Sequence, residues 1–217
     1  MRALARWLAW PWGLLTLLCL LVLAVFVVLP IGVLTLNSLK GADGGYSLAG
    51  FAKVLATPEY LQAIINTVLL ASAVTTCTVA LGVPLAYVVA RHDFPLKRWL
   101  AVLPVATIVI PEVIVGQSWL MVLGNNGLVS NFLRDLGLPV PSFYGWTGLI
   151  FSMTLVYYTY IYLGVLAALR GFDGQLEEAS LSLGATPAAT RWRVLLPTLA
   201  PAVLVNALVV FTLVVGN

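Results

Sequence analysis

Long apolar stretches alternate along the chain with short polar and charged ones, and this alternation predicts the helices. Each apolar stretch is about as long as a helix that crosses a bilayer. The polar segments between them carry Gly, Pro, Asn and Asp, which are typical of turns. The pattern predicts an all-α, polytopic transmembrane helical bundle in a single domain over 1–217. Its five predicted spans cover residues 12–36, 61–90, 99–123, 143–169 and 198–217.

Composition favours a membrane protein and excludes several other classes. Hydrophobic residues make up 61% of the chain and charged residues 9%, and the mean hydropathy is +1.04. A soluble domain carries about a quarter charged residues. The net charge of +3 comes without a basic patch interleaved with aromatic side chains, so no nucleic-acid partner is predicted. Cys19 and Cys77 lie in apolar stretches without metal-ligand spacing, and no metal site is predicted.

The distribution of basic residues predicts the orientation of the chain in the membrane. Eight of the eleven fall on one side of the predicted spans, and the positive-inside rule makes that side cytoplasmic. The N-terminus is then cytoplasmic, and the chain is predicted to be a multi-pass protein of the bacterial inner (plasma) membrane, surrounded by lipid. The predicted cytoplasmic residues are Arg2, Arg6, Arg91, Lys97, Arg98, Arg170, Arg191 and Arg193; the external ones are Lys40, Lys53 and Arg134.

The longest interruption of the apolar pattern is the segment 171–197, which reads as two helices joined by a tight corner. Asp173 is a suitable N-cap for the first helix, and Gly184 is the expected residue at its C-terminal end. Thr186 and Pro187 then restart a helix, with Thr as the cap and Pro in the first turn. Two further prolines, at 197 and 201, predict a kink into the last span. Such a shape suits docking against another protein.

The same segment resembles the EAA loop of binding-protein-dependent ABC importer permeases. That motif reads Glu-Ala-Ala, three residues, Gly, nine residues, Ile, one residue, Leu-Pro. The corresponding residues are Glu178, Ala179 and Ser180, then Gly184, Val194, Leu196 and Pro197, at the same spacing throughout. Ser180 replaces the second alanine and Val194 replaces isoleucine.

Shorter stretches resemble one branch of this family, the permeases for iron(III), 2-aminoethylphosphonate, polyamines and thiamine. They are Asn66-Thr67, Arg91 with Phe94-Pro95, and Gly124 to Leu128. The resemblance implies a type I ABC importer permease fold whose core has six spans. We therefore expect the chain to lack a sixth span, as a C-terminally truncated fragment or the first half of a longer permease.

The resemblance also implies the partners and the residues that contact them. It implies a separate ABC ATPase subunit, a second permease subunit or half, and an extracytoplasmic solute-binding protein. The implied ATPase-coupling residues are Glu178, Ala179, Gly184, Ala185, Leu196 and Pro197. The chain has no Walker-type phosphate-binding motif, so ATP would be bound by the partner, and no cofactor or enzymatic activity is expected. The transported substrate stays open, as does the choice between a homodimeric and a heterodimeric permease.

Glu112 is the only acidic residue inside a predicted span, one that Pro104 and Pro111 interrupt. A carboxyl group there marks a pathway or caps a helix that restarts after a break. We consider Glu112, Gln117 and Tyr158 as possible pathway-lining residues, although tyrosines in a span more often pack between helices. The alternative function is a secondary transporter driven by an ion gradient, with Glu112 as its cation or proton site.

Overall fold

The structure, a computed structural model, describes residues 11–41, 45–140 and 142–217. Apart from one isolated bridge between Lys40 and Tyr46, its regular elements in these ranges are helical, and the predicted all-α class is confirmed. The predicted cytoplasmic N-terminus, with Arg2 and Arg6, lies outside the described residues. The helices are α1 (Pro11–Leu23), a π-helical turn (Ala24–Val28), α2 (Leu29–Ser38), α3 (Ala49–Ala56), α4 (Pro58–Arg91), α5 (Lys97–Val109), α6 (Glu112–Leu123), α7 (Leu128–Asp135), α8 (Trp146–Arg170), α9 (Gln175–Ser182), α10 (Pro187–Thr190), a second π-helical turn (Arg191–Leu195) and α11 (Leu196–Val215).

In the described ranges, four helical stretches are long and apolar enough to cross a membrane. They are Gly13–Ser38, Pro58–Arg91, Trp146–Arg170 and Pro187–Val215. Helix α5 and the helical stretch Glu112–Asp135 bend by 109° relative to each other. Taken together as one broken span, they would give a fifth crossing.

The break between α5 and α6 has a local cause. Pro111 has no amide hydrogen, and its ring disfavours a helical conformation at the residue before it. Ile110 is accordingly extended, with ψ of 123°, and ends α5. The predicted span 99–123 is therefore a broken span or a re-entrant loop, whereas Pro104 lies inside the helix α5.

The chain divides into two compact units, the first ending at Ala63 and the second beginning at Ile64. In the first unit, the large apolar side chains from Leu14 to Leu36 are exposed; Phe26, for example, is 74% exposed and Leu34 70%. A helix that is apolar all round is covered by lipid or by other membrane helices. The π-helical turn Ala24–Val28 directly precedes the turn that contains Pro30.

The second unit is built around α8. Its residues Ile161, Tyr162 and Val165 are fully buried and belong to one core with Val74 of α4 and Val210 of α11. Helix α8 also packs against α5 and α6. It therefore positions both the break at Pro111 and the polar segment that follows its own C-terminus.

The end of the chain differs from the sequence expectation in one respect. A separate second loop helix was predicted, but the stretch Pro187–Val215 is helical throughout. The predicted kink at Pro197 and Pro201 stays a prediction. The π-helical turn Arg191–Leu195 comes just before Pro197, and the Leu196 amide donates to the Arg191 carbonyl. This wider turn accommodates a residue without an amide hydrogen, so the helix continues past it.

Candidate functional site

The first arm of the segment 171–197 is the short helix α9, and its ends are set by neighbouring residues. The Asp173 Oδ1 atom accepts a hydrogen bond of 3.0 Å from the Gln175 amide at the start of the helix. At the other end the Gly184 amide donates to the Leu181 carbonyl at 2.9 Å, and the Ala185 amide to the Ser180 carbonyl at 3.2 Å. This pair of bonds is the Schellman motif.

Gly184 takes the left-handed position of that motif, with φ of +87°. This conformation is costly for residues with a Cβ atom, and glycine adopts it freely. The glycine turns the chain sharply after α9 and lets the second arm begin three residues later, at Pro187. A Cβ atom at this position would meet no atom within 4 Å, so the strain from a side chain would be purely conformational.

The second arm begins with α10 and is bonded back to the first. The Thr186 Oγ1 atom caps it by accepting a 3.2 Å hydrogen bond from the Ala189 amide, as the sequence predicts. The hydroxyl groups of Ser180 and Thr190 lie 3.0 Å apart, and Thr190 is only 4% exposed. Two helical arms are thus held together behind a glycine corner.

We call the two arms and the glycine corner, residues 171–197, the hook. The predicted coupling residues divide between its exposed and its covered parts. Glu178, Ala179 and Gly184 are exposed, and Leu183 beside the corner is 90% exposed. Ala185 is half-buried. This exposed group (Glu178, Ala179, Leu183 and Gly184), the outer face of the loop, is available to a partner.

The last two predicted residues lie further along, where the second arm continues into α11. Leu196 is half-buried and Pro197 is exposed. Their position in a continuous helix, beyond the π-helical turn, joins the hook directly to a membrane-spanning segment.

The inner face of the loop contains a contact that the sequence did not reveal. Glu177 Oε1 lies 2.8 Å from Nη2 of Arg91, at the C-terminus of α4. The Arg91 Cζ atom also lies 5.7 Å from the centre of the Phe172 ring. A basic residue at the end of one helix and an acidic residue at the start of another are a signal for such a pair. The sequence does not show which two residues pair when, as here, 86 positions separate them.

A second polar group surrounds Glu112, which begins α6 just after the break. The Tyr157 hydroxyl donates a 2.6 Å hydrogen bond to Glu112 Oε2, and the Asn217 side-chain amide donates to the Tyr157 hydroxyl at 3.3 Å. Glu112 and Asn217 line a mostly apolar cavity of about 440 Å³, together with Ser152. Tyr157 is one of a cluster of four tyrosines in the fourth predicted span, and nothing in the sequence distinguishes it from Tyr158, which was considered as the lining residue.

The structure does not bring Gln117 and Tyr158 together with Glu112. Gln117 is exposed, because five residues along a helix turn the side chain by roughly 140°. The cavity is instead lined by Val113, Gly116 and Leu120 from the same helix. Tyr158 lines a different cavity of about 420 Å³ between α5, α6 and α8.

Pro104 shows how α8 satisfies polar groups near a proline in a membrane helix. Its carbonyl accepts hydrogen bonds from Thr107 Oγ1 at 2.7 Å and Thr159 Oγ1 at 2.8 Å. The Tyr162 hydroxyl donates to the Ala101 carbonyl at 3.3 Å. Helix α5 is therefore tied to α8 by side-chain hydroxyl groups at and beside this proline.

Helices that span a membrane, together with an exposed helix–glycine–helix hook, define a subunit that combines a membrane core with a docking element. Residues 82–217 match the family described as "Binding-protein-dependent transport system inner membrane component". The match covers more than half of the chain, and the chain belongs to that family. The family is one of transport permeases of the inner membrane and not of enzymes.

Curated relatives and a solved structure agree with this assignment. The chain is 30% identical over 167 residues to the molybdenum transport system permease protein ModB of Mycobacterium tuberculosis, which covers 77% of the chain and 62% of ModB. It is 28% identical over 193 residues to a putative 2-aminoethylphosphonate transport system permease protein of Salmonella typhimurium, covering 87% of the chain and 67% of the relative. That second relative is consistent with the predicted branch of the family.

The fold matches a crystal structure of a bacterial alginate ABC transporter in complex with an alginate-pentasaccharide-bound periplasmic protein. The TM-score is 0.78 at 19% identity, over 96% of this chain and 73% of the other. The predicted permease fold is confirmed. The chain spans less than two thirds of the length of ModB.

Proposed function

We propose that the chain is an inner-membrane permease subunit of an ATP-driven ABC importer. In this proposal it forms half of the translocation pathway together with a second permease subunit or half. It receives cargo from an extracytoplasmic binding protein and contacts a separate ATPase, which binds the ATP. The observation that carries the proposal is the hook at 171–197. Its arms are hydrogen-bonded to each other and paired with the end of α4, while its outer face (Glu178, Ala179, Leu183 and Gly184) remains exposed.

The geometry of the hook suits the transmission of force between subunits. Its first arm follows α8 after a short turn, and its second arm continues without a break into the last membrane helix. A partner that moves the corner therefore acts on two membrane segments at once. Differential interaction of the hook with two states of an ATPase would bias the membrane helices between two arrangements, as any ligand-driven shift requires.

We propose an orientation on the basis of the charges at the same end of the second unit. The Arg91–Glu177 ion pair joins the end of α4 to the hook, so the loop 92–96 and the hook lie at one end of the helices. Lys97, Arg98 and Arg170 lie at this end as well. A positive end of this kind favours the cytoplasm, and the proposed N-terminal orientation agrees with it. Alkaline phosphatase fused after Pro95 should be inactive and green fluorescent protein there fluorescent; the reverse result would invert the topology.

The alternative, a secondary transporter centred on Glu112, is less well supported than the importer. Membership of a binding-protein-dependent family favours the importer. Glu112 remains a candidate pathway residue in either case, because it lines a cavity beside the broken span. Uptake that continues after ATP depletion at a fixed ion gradient, and is abolished by Glu112→Gln, would support the alternative.

The decisive experiment is co-purification of the tagged permease from its native host with its ATPase. We expect the ATPase with the wild-type chain and at least about a tenfold loss with Glu178→Ala or Gly184→Trp, as for residues central to an interface. Lys97→Gln is the matched control, since it changes a charge at the same end of the protein without touching the hook. Equal recovery of ATPase from all four chains would contradict the proposal.

For the cargo, we propose an oxyanion. Among the relatives, one is named for molybdenum and another for 2-aminoethylphosphonate. Molybdenum is soluble in neutral water as the tetrahedral anion molybdate, and the phosphonate group is likewise an oxyanion. Uptake of labelled molybdate and of labelled 2-aminoethylphosphonate should be compared in cells with and without the gene, with spermidine as the cationic control. Gene-dependent uptake of spermidine alone would refute the assignment.

A further inference from the structure

We propose that Arg91 is the positioning residue that attaches the hook to α4, so that movement of the hook is passed to a third membrane helix. This inference rests on the proposed coupling function of the hook. Through the chain alone, the hook is joined to α8 and α11. Its contact with Arg91 adds a helix that is remote in sequence, because 86 positions separate Arg91 from Glu177.

The ion pair is partly buried and lies beside an aromatic ring. The side chains of Arg91 and Glu177 are 28% and 25% exposed. Because both are partly withdrawn from water, their mutual attraction is screened less than that of a fully exposed pair. Phe172 covers one side of the guanidinium, at 5.7 Å from its ring centre, and packs against the core. Arginine is suited to such a position because its flat group can hydrogen-bond and stack at once.

Each charge also lies at the end of a helix that favours it. Arg91 is the last residue of α4, where the carbonyl groups give the helix a negative end. Glu177 lies in the first turn of α9, where the amide groups give a positive end. The pair therefore bridges two helix termini of complementary polarity, and each residue would remain well placed if its partner were removed. The specific effect of the pair is the connection between the two helices.

The neighbouring charges show that this arrangement is selective. Glu178 follows Glu177 directly but is exposed and forms no ion pair within the described ranges. Asp93 and Lys97 form a 2.8 Å pair in the same region, with Asp93 97% exposed. That pair joins the loop after α4 to the first residue of α5, four positions along, and Lys97 holds the pKa of the Asp93 carboxyl below its usual value. It connects no distant helices and provides a matched control.

The test compares variants of the pair in the complete transporter, reconstituted with its ATPase and binding protein. For Arg91→Gln and Glu177→Gln we expect the ATPase to remain bound. The number of ATP molecules hydrolysed per transported molecule should rise by roughly tenfold. Expressed as a free energy, a tenfold change lies within the range of interaction energies found for contacting residues. Arg91→Lys should recover part of the wild-type ratio. The charge swap Arg91→Glu with Glu177→Arg should also recover part of it, because it restores the contact but places each charge at a helix end of the same sign. Lys97→Gln should leave the ratio unchanged.

Two outcomes would overturn the inference: a wild-type ratio in Arg91→Gln, or a charge swap no better than the single variants. A second measurement needs only this chain and separates the inference from the proposed function. Spin labels at Val88→Cys on α4 and Leu183→Cys beside the corner are introduced after replacing Cys19 and Cys77 with serine. The distribution of distances between the labels should broaden in Arg91→Gln and narrow again in the charge swap. An unchanged distribution would refute the attachment even where no ATPase binds.

Discussion

Gly82 allows α4 and α8 to approach closely, and its replacement by alanine tests whether that approach determines the stability of the second unit. A Cβ atom at Gly82 would lie 2.8 Å from Ile161 Cβ and 2.9 Å from both Ile161 Cγ2 and the Tyr158 carbonyl oxygen. Neither the Cβ atom of Ile161 nor the carbonyl group of Tyr158 can rotate away. The two helices would therefore have to separate to admit one methyl group.

The expected magnitude follows from two opposing effects. Overpacking of a close contact costs about 1–3 kcal/mol of the free energy of unfolding. Alanine is the better helix former by at most about 1 kcal/mol, and this gain shrinks in detergent, where the unfolded chain retains helical structure. We therefore expect Gly82→Ala to lower the free energy of unfolding by about 1–2 kcal/mol.

The measurement is an equilibrium titration with sodium dodecyl sulfate in mixed micelles, followed by tryptophan fluorescence. Trp119 reports on the second unit, since its ring packs edge-on against Phe151 with the ring centres 4.9 Å apart. Gly116→Ala is the matched control, because a Cβ atom there would have no atom within 4 Å. Gly116→Ala should unfold as the wild type does or slightly later. If both alanine variants unfold at the same detergent fraction, the close approach does not limit stability.

Three further variants test the hook and the polar group at Glu112. Gly184→Ala should destabilise the corner by about 1–2 kcal/mol because of its positive φ, and Gly184→Asn by less, as measured by hydrogen exchange of the α9 amides; equal effects would argue against backbone strain. A double-mutant cycle of Tyr157→Phe and Glu112→Gln, read from detergent unfolding, should give a coupling of about 0.5–2 kcal/mol, and additivity would mean that the hydrogen bond contributes nothing. Thr190→Val keeps the side-chain volume but removes the hydrogen-bond partner of Ser180, and it should speed amide hydrogen exchange in α9 by a factor corresponding to about 1 kcal/mol. Ser180→Ala should speed exchange by the same factor, because it removes the same hydrogen bond.

The features that sequence predicted well are those set by residues close together in the chain. The cap at Thr186 and the stop at Gly184 depend on amide groups within a few positions, and both have the geometry expected of them. The break at Pro111 was predictable for the same reason, since the proline acts on the residue before it. The angle of 109° at that break was not, because it depends on how α5 and α6 each pack against α8.

Contacts between distant residues could not be derived in the same way. The four tyrosines of α8 are alike in sequence, and only the packing of α6 against α8 determines that Tyr157 is the one that reaches Glu112. Gln117 was considered with Glu112 as a lining residue, but it lies five positions further along the helix, and residues share a face at spacings of three or four. The sequence thus indicated that a tyrosine of α8 could contribute to a polar lining, and helix packing determines that Tyr157 contacts Glu112.

The two adjacent glutamates of the hook show why a family resemblance and a structure supply different parts of the mechanism. Successive side chains on a helix point about 100° apart, so Glu177 and Glu178 face different directions. The resemblance implies that Glu178 contacts the ATPase, and the structure leaves that residue exposed. It is silent about Glu177, whose partner Arg91 belongs to the same chain. If the proposals hold, a change at Glu178 should weaken binding of the ATPase, while a change at Glu177 should leave binding intact and reduce the transport obtained for each ATP.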